Sequence, residues 1–433
     1  MKKRYCGKLI VLCSLLAALI LVMAAAFITR GRLQHTEGAA SAEAGMLMGA
    51  GNVEVGKSAE ENEAYLNAFN ACGVTWARVA VMPGRYYPDN RPEAKAADEA
   101  ILQCYRHGIR PMFLFEYMKK NDGPLGDYNK WFAIGKAFAE RFMPGGSFGR
   151  ENGIPDTWGV TVYEAYNEPD NVYNNDVKPE EYKNALRGFA DGVHAADKNL
   201  KAIPGGFCGP NAKQDYTCGG YAVALAPLWN DGTLDGIDLH TYYDDTYASI
   251  GYYERSAQYA FDAVKKECGI TRDINFYCTE FMQSDQLQGK NGGITEASAA
   301  QKLLTGVWDH FGVVKNDGST SATQFAMPWY LCKTKEAYAD YGLVSRMDPW
   351  TPYARAATLK LANDITQGLH FESLDPKGTG EFVLSGEGKK LWVWQCRSNW
   401  TNHKNTEYTC KGIPPGSAFY GSMGMTDCEG SYR

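Results

Sequence analysis

No Cys-x-x-Cys pair occurs anywhere in the chain, which removes the zinc ribbons and thioredoxin-like redox sites that such pairs build. The sequence also has no P-loop, no His-Glu-x-x-His and no EF-hand loop, so the familiar phosphate, zinc and calcium motifs are missing. Its seven histidines are scattered, and neither a metal nor another cofactor is expected. A basic excess is lacking too. Lys and Arg total 44 against 50 Asp and Glu, a net charge of −6, which does not suit a nucleic-acid binder with its basic face. With 45% hydrophobic and 22% charged residues, disorder, collagen and coiled coil are excluded as the main architecture. What the chain has in surplus is aromatic, with 27 Tyr and 10 Trp among 433 residues. Those rings serve either as filler or as platforms for a ligand with flat apolar faces.

The only long hydrophobic run stands at the start. Lys2, Lys3, Arg4 and Lys8 precede an uncharged stretch from Leu9 to Ile28. A basic start before an apolar run marks an export signal, and 20 residues suffice to span a bilayer as a helix. Residues 1–28 therefore read as a signal or membrane anchor, cleaved or not, and 29–45 as a small, polar tether. Export makes the protein extracytoplasmic, anchored or secreted. In an oxidising compartment Cys208 with Cys218, and Cys396 with Cys410, are candidate disulfides; buried free thiols are the other reading.

From residue 46 a short apolar run and an amphipathic stretch of helical period alternate. Strands are predicted at 46–53, 74–81, 109–116, 159–166, 201–206, 236–240, 274–281 and 323–331. Helices are predicted at 59–71, 93–107, 128–142, 179–197, 220–230, 252–268, 295–310 and 351–365. Pro92 and Pro179 sit near helix starts, and Gly108, Gly269 and Gly312 lie where C-terminal caps do. Alternation of this kind implies a parallel sheet, and eight units over this length imply a closed (β/α)₈ TIM barrel spanning 46–365. Residues 366–433 alternate as strands instead, around a turn at Gly386–Gly388, and form a β-rich C-terminal appendage. Asn399-Trp-Thr401 is a lone glycosylation sequon.

Barrels of this kind keep their chemistry at the C-terminal ends of the strands. The fourth predicted strand ends in Asn167-Glu168-Pro169-Asp170 and the seventh in Glu280-Phe281. Burying two carboxylates at one mouth is costly, and the pair has a chemical use. One protonates a leaving oxygen while the other attacks an anomeric carbon; a separation of about 5 to 5.5 Å gives retention through a covalent intermediate.

Tyr163-Glu-Ala-Tyr-Asn-Glu-Pro-Asp170 resembles the strand-four signature of the clan A retaining glycoside hydrolases, and Cys278-Thr-Glu-Phe-Met282 their strand-seven signature. Arg78 at the end of strand two, Asp238-Leu-His-Thr-Tyr-Tyr243 at the end of strand six and Trp329 at the end of strand eight fall in the same order. Within the clan the resemblance is nearest family 39, with families 5 and 30 close. It covers about residues 46–365. Tyr166 stands where the clan usually has Trp, and Phe281 where Trp or Gly is common. The resemblance implies Glu168 as the acid/base and Glu280 as the nucleophile. Asn167 would hold the sugar 2-hydroxyl and Arg78 the nucleophile. His240 would bond a sugar hydroxyl, Tyr242 would fix the nucleophile's rotamer, and Trp329 would lie under the sugar. Glu168 should carry a raised pKa in the loaded site, and a nearby Arg78 would lower that of Glu280.

A carbohydrate is the implied substrate, and a non-catalytic surface glycan-binding barrel is the other reading. Tyr86, Tyr87, Tyr173 and Tyr247 follow strands and are further stacking candidates. Two weaker patterns are set aside. Gly-x-Ser-x-Gly around Ser147 follows a helix rather than the strand a nucleophile elbow needs. Gly49-Ala-Gly51 has Glu54 in place of the third glycine of a dinucleotide fingerprint.

Overall fold

The computed structural model describes residues 49–54, 58–82, 92–116, 125–171, 177–212, 215–242, 256–282, 296–318, 320–329, 331, 342–344, 351–374, 382–386, 388–393, 418–421 and 424–427. All belong to one unit, Ala42–Arg433. The apolar segment 9–28, the tether, Cys396, Cys410, the sequon and the four loop tyrosines lie outside these residues. Among the described residues no helix is long and apolar enough to cross a membrane.

In chain order the elements are β1 (Gly49–Glu54), α1 (Ala59–Ala71), β2 (Trp76–Val81), α2 (Pro92–Arg106), β3 (Arg110–Phe115), α3 (Tyr128–Phe142), α4 (Ser147–Asn152) and β4 (Val162–Ala165). Then follow α5 (Pro179–Ala196), β5 (Lys201–Pro204), α6 (Gly209–Ala212), α7 (Tyr221–Asn230), β6 (Gly236–Asp238), β7 (Thr241–Tyr242), α8 (Ser256–Glu267) and β8 (Asn275–Met282). The series closes with α9 (Glu296–Phe311), β9 (Thr323–Pro328) and α10 (Ala354–Thr366). Local chemistry fixes several of these boundaries. Ser58 and Glu61 exchange hydrogen bonds across the first turn of α1, a reciprocal cap. Asp127 accepts from the Lys130 N–H to start α3, and Pro92 and Pro179 open α2 and α5. Gly108 and Gly269 take φ of +67° and +62° just past their helices, the left-handed exit that lacks a Cβ penalty. Gly312 instead continues the helical pattern, its N–H reaching the Trp308 carbonyl at 3.1 Å.

Strands β1 to β5 pair in parallel and in sequence order. β6 and β7 both pair in parallel with β8, and β8 with β9. A parallel bridge between Phe207 and Leu239 links the end of β5 to the end of β6, and β9 comes alongside β1. The sheet thus closes on itself with helices between its strands, as the alternation implied. Side chains along it point alternately in and out. Trp76, Met112, Val162, Ile203, Tyr277, Phe325 and Met327 form a buried apolar cluster of their own inside the ring. Their neighbours Ala77, Phe113, Tyr163, Ala202, Phe276 and Ala326 join the larger core shared with the helices.

Beyond the barrel, β10 (His370–Leu374), β11 (Phe382–Gly386) and β12 (Lys389–Val393) form an antiparallel sheet. Leu384 and Val393 bury against the same core. β13 (Ala418–Gly421) and β14 (Gly424–Asp427) form a separate antiparallel pair. The proposed Cys208–Cys218 disulfide is not present: both are free thiols. The Cys208 thiol is instead directed to the Asp170 carboxylate. Burial, chiefly, pushes both thiols up in pKa. Ser147 opens the short helix α4 behind α3, with no strand before it.

Candidate active site

Two residues beyond the apolar layer, in the direction the strands run, the interior turns polar. Trp76 gives way to Arg78, Val162 to Glu164 and Tyr277 to Thr279. Arg78 and Glu164 are both fully buried and join through two parallel hydrogen bonds, Nε to Oε2 at 2.7 Å and Nη2 to Oε1 at 2.5 Å. The same guanidinium donates from Nη1 to Glu280 Oε1 at 2.6 Å and from Nη2 to Asn167 Oδ1 at 2.8 Å. Burial works against charge on Arg78, but the Glu164 and Glu280 carboxylates outweigh it and keep it protonated.

Glu280 reaches this layer because β8 carries an extra residue. Cys278 pairs with Ala326 and Phe281 with Pro328, so three steps along β8 match two along β9. Against β6 and β7 the count is similar: Asp238 pairs with Tyr277 and Thr241 with Phe281. A bulge of this kind breaks strict alternation. Thr279 and Glu280, though consecutive, both face the interior: one bonds Asp238 and the other Arg78.

Glu168 is positioned by backbone that few side chains adopt. Tyr166 has φ +71° and Glu168 φ +45°, each costing on the order of 1–3 kcal/mol. Surrounding bonds hold them. The Tyr166 N–H donates to the Phe115 carbonyl, and the Tyr182 hydroxyl to that of Ala165. β5 must approach closely here. A Cβ on Gly205 would lie 1.3 Å from the Tyr166 carbonyl oxygen, and one on Gly206 would lie 2.1 Å from His240 Nε2. Both positions therefore require glycine.

His240, fully buried, places Nδ1 2.7 Å from Glu168 Oε1 and 3.5 Å from Glu280 Oε2. Its Nε2 lies 3.0 Å from Thr279 Oγ1. Asn171 donates to the other Glu168 oxygen at 2.7 Å. Burial disfavours a charged imidazole, but Glu280 and Glu168 prevail and raise its pKa to about 9. Burial likewise raises Glu168, yet the bond from His240 and its charge leave that carboxyl below its ordinary value. In the unloaded site the direction is thus opposite to the raised pKa expected of a waiting acid. A carboxylate oxygen of Glu168 and one of Glu280 lie within 4.8 Å of each other, with a His240 ring nitrogen inside the same distance. These three could in principle surround a cation. Glu280 and Glu168 favour the protonated imidazole, and in that form His240 has no lone pair for a metal.

The structure brings together Arg78, Asn167, Glu168, His240 and Glu280. Half-buried Trp329 follows β9, its N–H bonded to the Phe281 carbonyl at 2.8 Å. Tyr242 ends β7 beside Met282, and its side chain lies outside the description. His240 is not directed at open solvent as a sugar ligand: both ring nitrogens engage protein groups. Sequence reasoning missed Glu164, Asp238, Thr279 and Asn171. A charged residue at an inward position of an otherwise apolar strand was the available signal for Glu164.

No protein-family model and no curated protein matches the chain. Solved structures do. A family 39 glycoside hydrolase from Bacteroides cellulosilyticus aligns at TM-score 0.56 and 15% identity over 90% of this chain and 79% of its own. A family 51 α-L-arabinofuranosidase from Bifidobacterium longum aligns at 0.52 and 14% over 80% and 75%. GH5_18 from Streptomyces cattleya, solved with GlcNAc, aligns at 0.52 and 12% over 74% and 80%. The chain shares the barrel fold of these clan A glycoside hydrolases.

Proposed function

We propose that this chain is a retaining glycoside hydrolase, with Glu280 the nucleophile and Glu168 the acid/base. The observation that carries the reading is that a carboxylate oxygen of Glu168 and one of Glu280 lie within 4.8 Å of each other at one barrel mouth, with Glu280 also bonded by Arg78 and Glu168 by His240. That spacing suits a direct attack. An inverting pair needs about 6.5–9.5 Å to admit a water.

In this reading Glu280 attacks the anomeric carbon, and the glycosidic bond breaks as Glu168 protonates the leaving oxygen. Sugar binding excludes water and so disfavours the Glu168–His240 ion pair. The proton on Nδ1 then passes across the 2.7 Å contact to load the acid. Water, deprotonated by Glu168, next releases the sugar from Glu280 and regenerates both groups. In this reading Asn167 holds the 2-hydroxyl, Trp329 lies under the sugar and Tyr242 fixes the rotamer of the nucleophile. The apolar segment 9–28 gives the enzyme an extracytoplasmic substrate in this reading, a poly- or oligosaccharide.

A panel of aryl glycosides tests the proposal. Some member should release its phenol, with the first-formed sugar keeping its anomeric configuration by NMR. Glu168→Ala should yield a glycosyl azide of retained configuration when azide is added. Failure of every sugar in the panel would favour a binding barrel, and an inverted first product would remove Glu280 as nucleophile.

A further inference from the structure

Behind His240, away from Glu168, stand two polar groups that the proposed reaction does not use. Asp238 and Thr279 are both fully buried. The Thr279 N–H donates to Asp238 Oδ1 at 3.0 Å, and its hydroxyl donates to Asp238 Oδ2 at 2.8 Å. A threonine hydroxyl has one hydrogen. Spent on Asp238, it leaves Oγ1 only as an acceptor toward His240 Nε2, 3.0 Å away. The ring therefore keeps a hydrogen on Nε2. In the neutral ring Nδ1 is then bare and faces Glu168 Oε1 at 2.7 Å.

We propose that Asp238 and Thr279 are positioning residues that fix the tautomer of His240, so that Nδ1 exchanges one proton with Glu168. The proposal deepens the glycosidase reading and, for its effect on rate, rests on it. The exchange balances: the Glu168 O–H bond breaks as the Nδ1–H bond forms, and the reverse, while Nε2–H and the Thr279 hydroxyl stay as they are. With the opposite tautomer Nδ1 would always carry hydrogen. Glu168 could then only be held as a carboxylate, a poor acid. Glu164, Arg78 and His240 face Asp238, while Glu168, Glu280 and Arg78 face the imidazole. Burial, with the Glu164 charge next, pushes the Asp238 carboxyl up to about 7. Its ionised, relay-setting form is therefore the one present above neutrality.

Asp238→Asn makes the sharpest test. The Thr279 N–H needs an oxygen, so the new amide must turn its NH₂ toward Thr279 Oγ1. The hydroxyl then donates to Nε2, and the neutral ring carries its hydrogen on Nδ1. Thr279→Val removes the acceptor and has the same effect, whereas Thr279→Ser restores it. The expected result is a basic limb of the kcat/KM profile displaced downward by about one pH unit in Asp238→Asn and Thr279→Val. The acid limb should stay, and Thr279→Ser should match the parent. Losses should reach about tenfold or more on phenyl glycosides, whose leaving group needs a proton, and stay within about threefold on dinitrophenyl glycosides.

An activity-free readout accompanies these profiles. ¹⁵N NMR above the His240 pKa should show hydrogen on Nε2 in the parent and Thr279→Ser, and on Nδ1 in the other two. One tautomer throughout, or an unmoved basic limb in active variants, overturns the proposal. Should Asp238→Asn not fold, the two Thr279 variants decide. A parent that cleaves no glycoside would sink the glycosidase reading alone, since the tautomer comparison would still judge the relay.

Discussion

Two layers inside the same barrel lie one pleat apart and do opposite things. The lower layer, with Trp76, Met112, Val162, Ile203, Tyr277, Phe325 and Met327, buries apolar surface and carries stability. The upper layer, with Arg78, Glu164, Asp238, His240, Thr279 and Glu280, buries charge among groups 0–6% exposed, each costly unless paired. Trp76 and Arg78 share a strand and a face, as do Val162 and Glu164. The backbone treats them alike; the side chains divide the labour. A layer of buried charge can be this expensive because the layer beneath it is ordinary.

Breaking the upper layer at Glu280, the proposed nucleophile, should have the largest effect. Glu280→Gln should lower turnover on the order of 10⁴-fold or more while thermal unfolding moves little, because Arg78 keeps its bidentate partner Glu164 and the amide oxygen can still accept from it. A large fall in Tm would mean that Glu280 is mainly structural. Next comes Glu164→Gln. It leaves Arg78 buried without its bidentate partner, and should cost roughly 3–5 kcal/mol in denaturant unfolding, together with most activity. A neutral outcome would dissolve the distinction between the layers.

Met112→Ala probes the lower layer. It should cost about 2–5 kcal/mol through its cavity, yet leave kcat/KM of the folded protein within a few fold. The smallest effect expected is on pH dependence. The His240 pKa is raised to about 9, above its unfolded value, so its stabilisation is complete below the unfolded pKa of about 6.5. It is lost as pH rises through 9. Tm measured by calorimetry should therefore fall between those values, and His240→Gln should flatten that slope. An equal slope in both proteins would show that the imidazole is neutral in the folded state.

The legible and illegible parts of the chain follow the same division. Strands and helices of the barrel fall within a few residues of their predicted ends, with α1 and α3 at 59–71 and 128–142 as expected. Hydrophobic period and helix caps are local properties and can be read locally. Arg78, Asn167, Glu168, His240 and Glu280 were legible as strand-end polar groups, and they do converge. Glu164 was not. It sits inside a four-residue strand, and only the closure of the sheet brings Arg78 on β2, beyond β3, to its carboxylate. The thiols of Cys208 and Cys218 misled, because closeness in sequence says nothing of where Asp170 stands.

The order of apolar and polar residues along the chain was sufficient to determine the alternation of elements, the parallel barrel and the strand ends where chemistry would gather. The protonation and pairing of those groups were decided only by tertiary structure. A bulge in β8 turned Glu280 inward beside Thr279, two glycines let β5 close on Tyr166 and His240, and one guanidinium came to bridge two carboxylates. Each depends on distances between residues remote in sequence, and charge interactions in a buried site are set by those distances and by the water excluded around them.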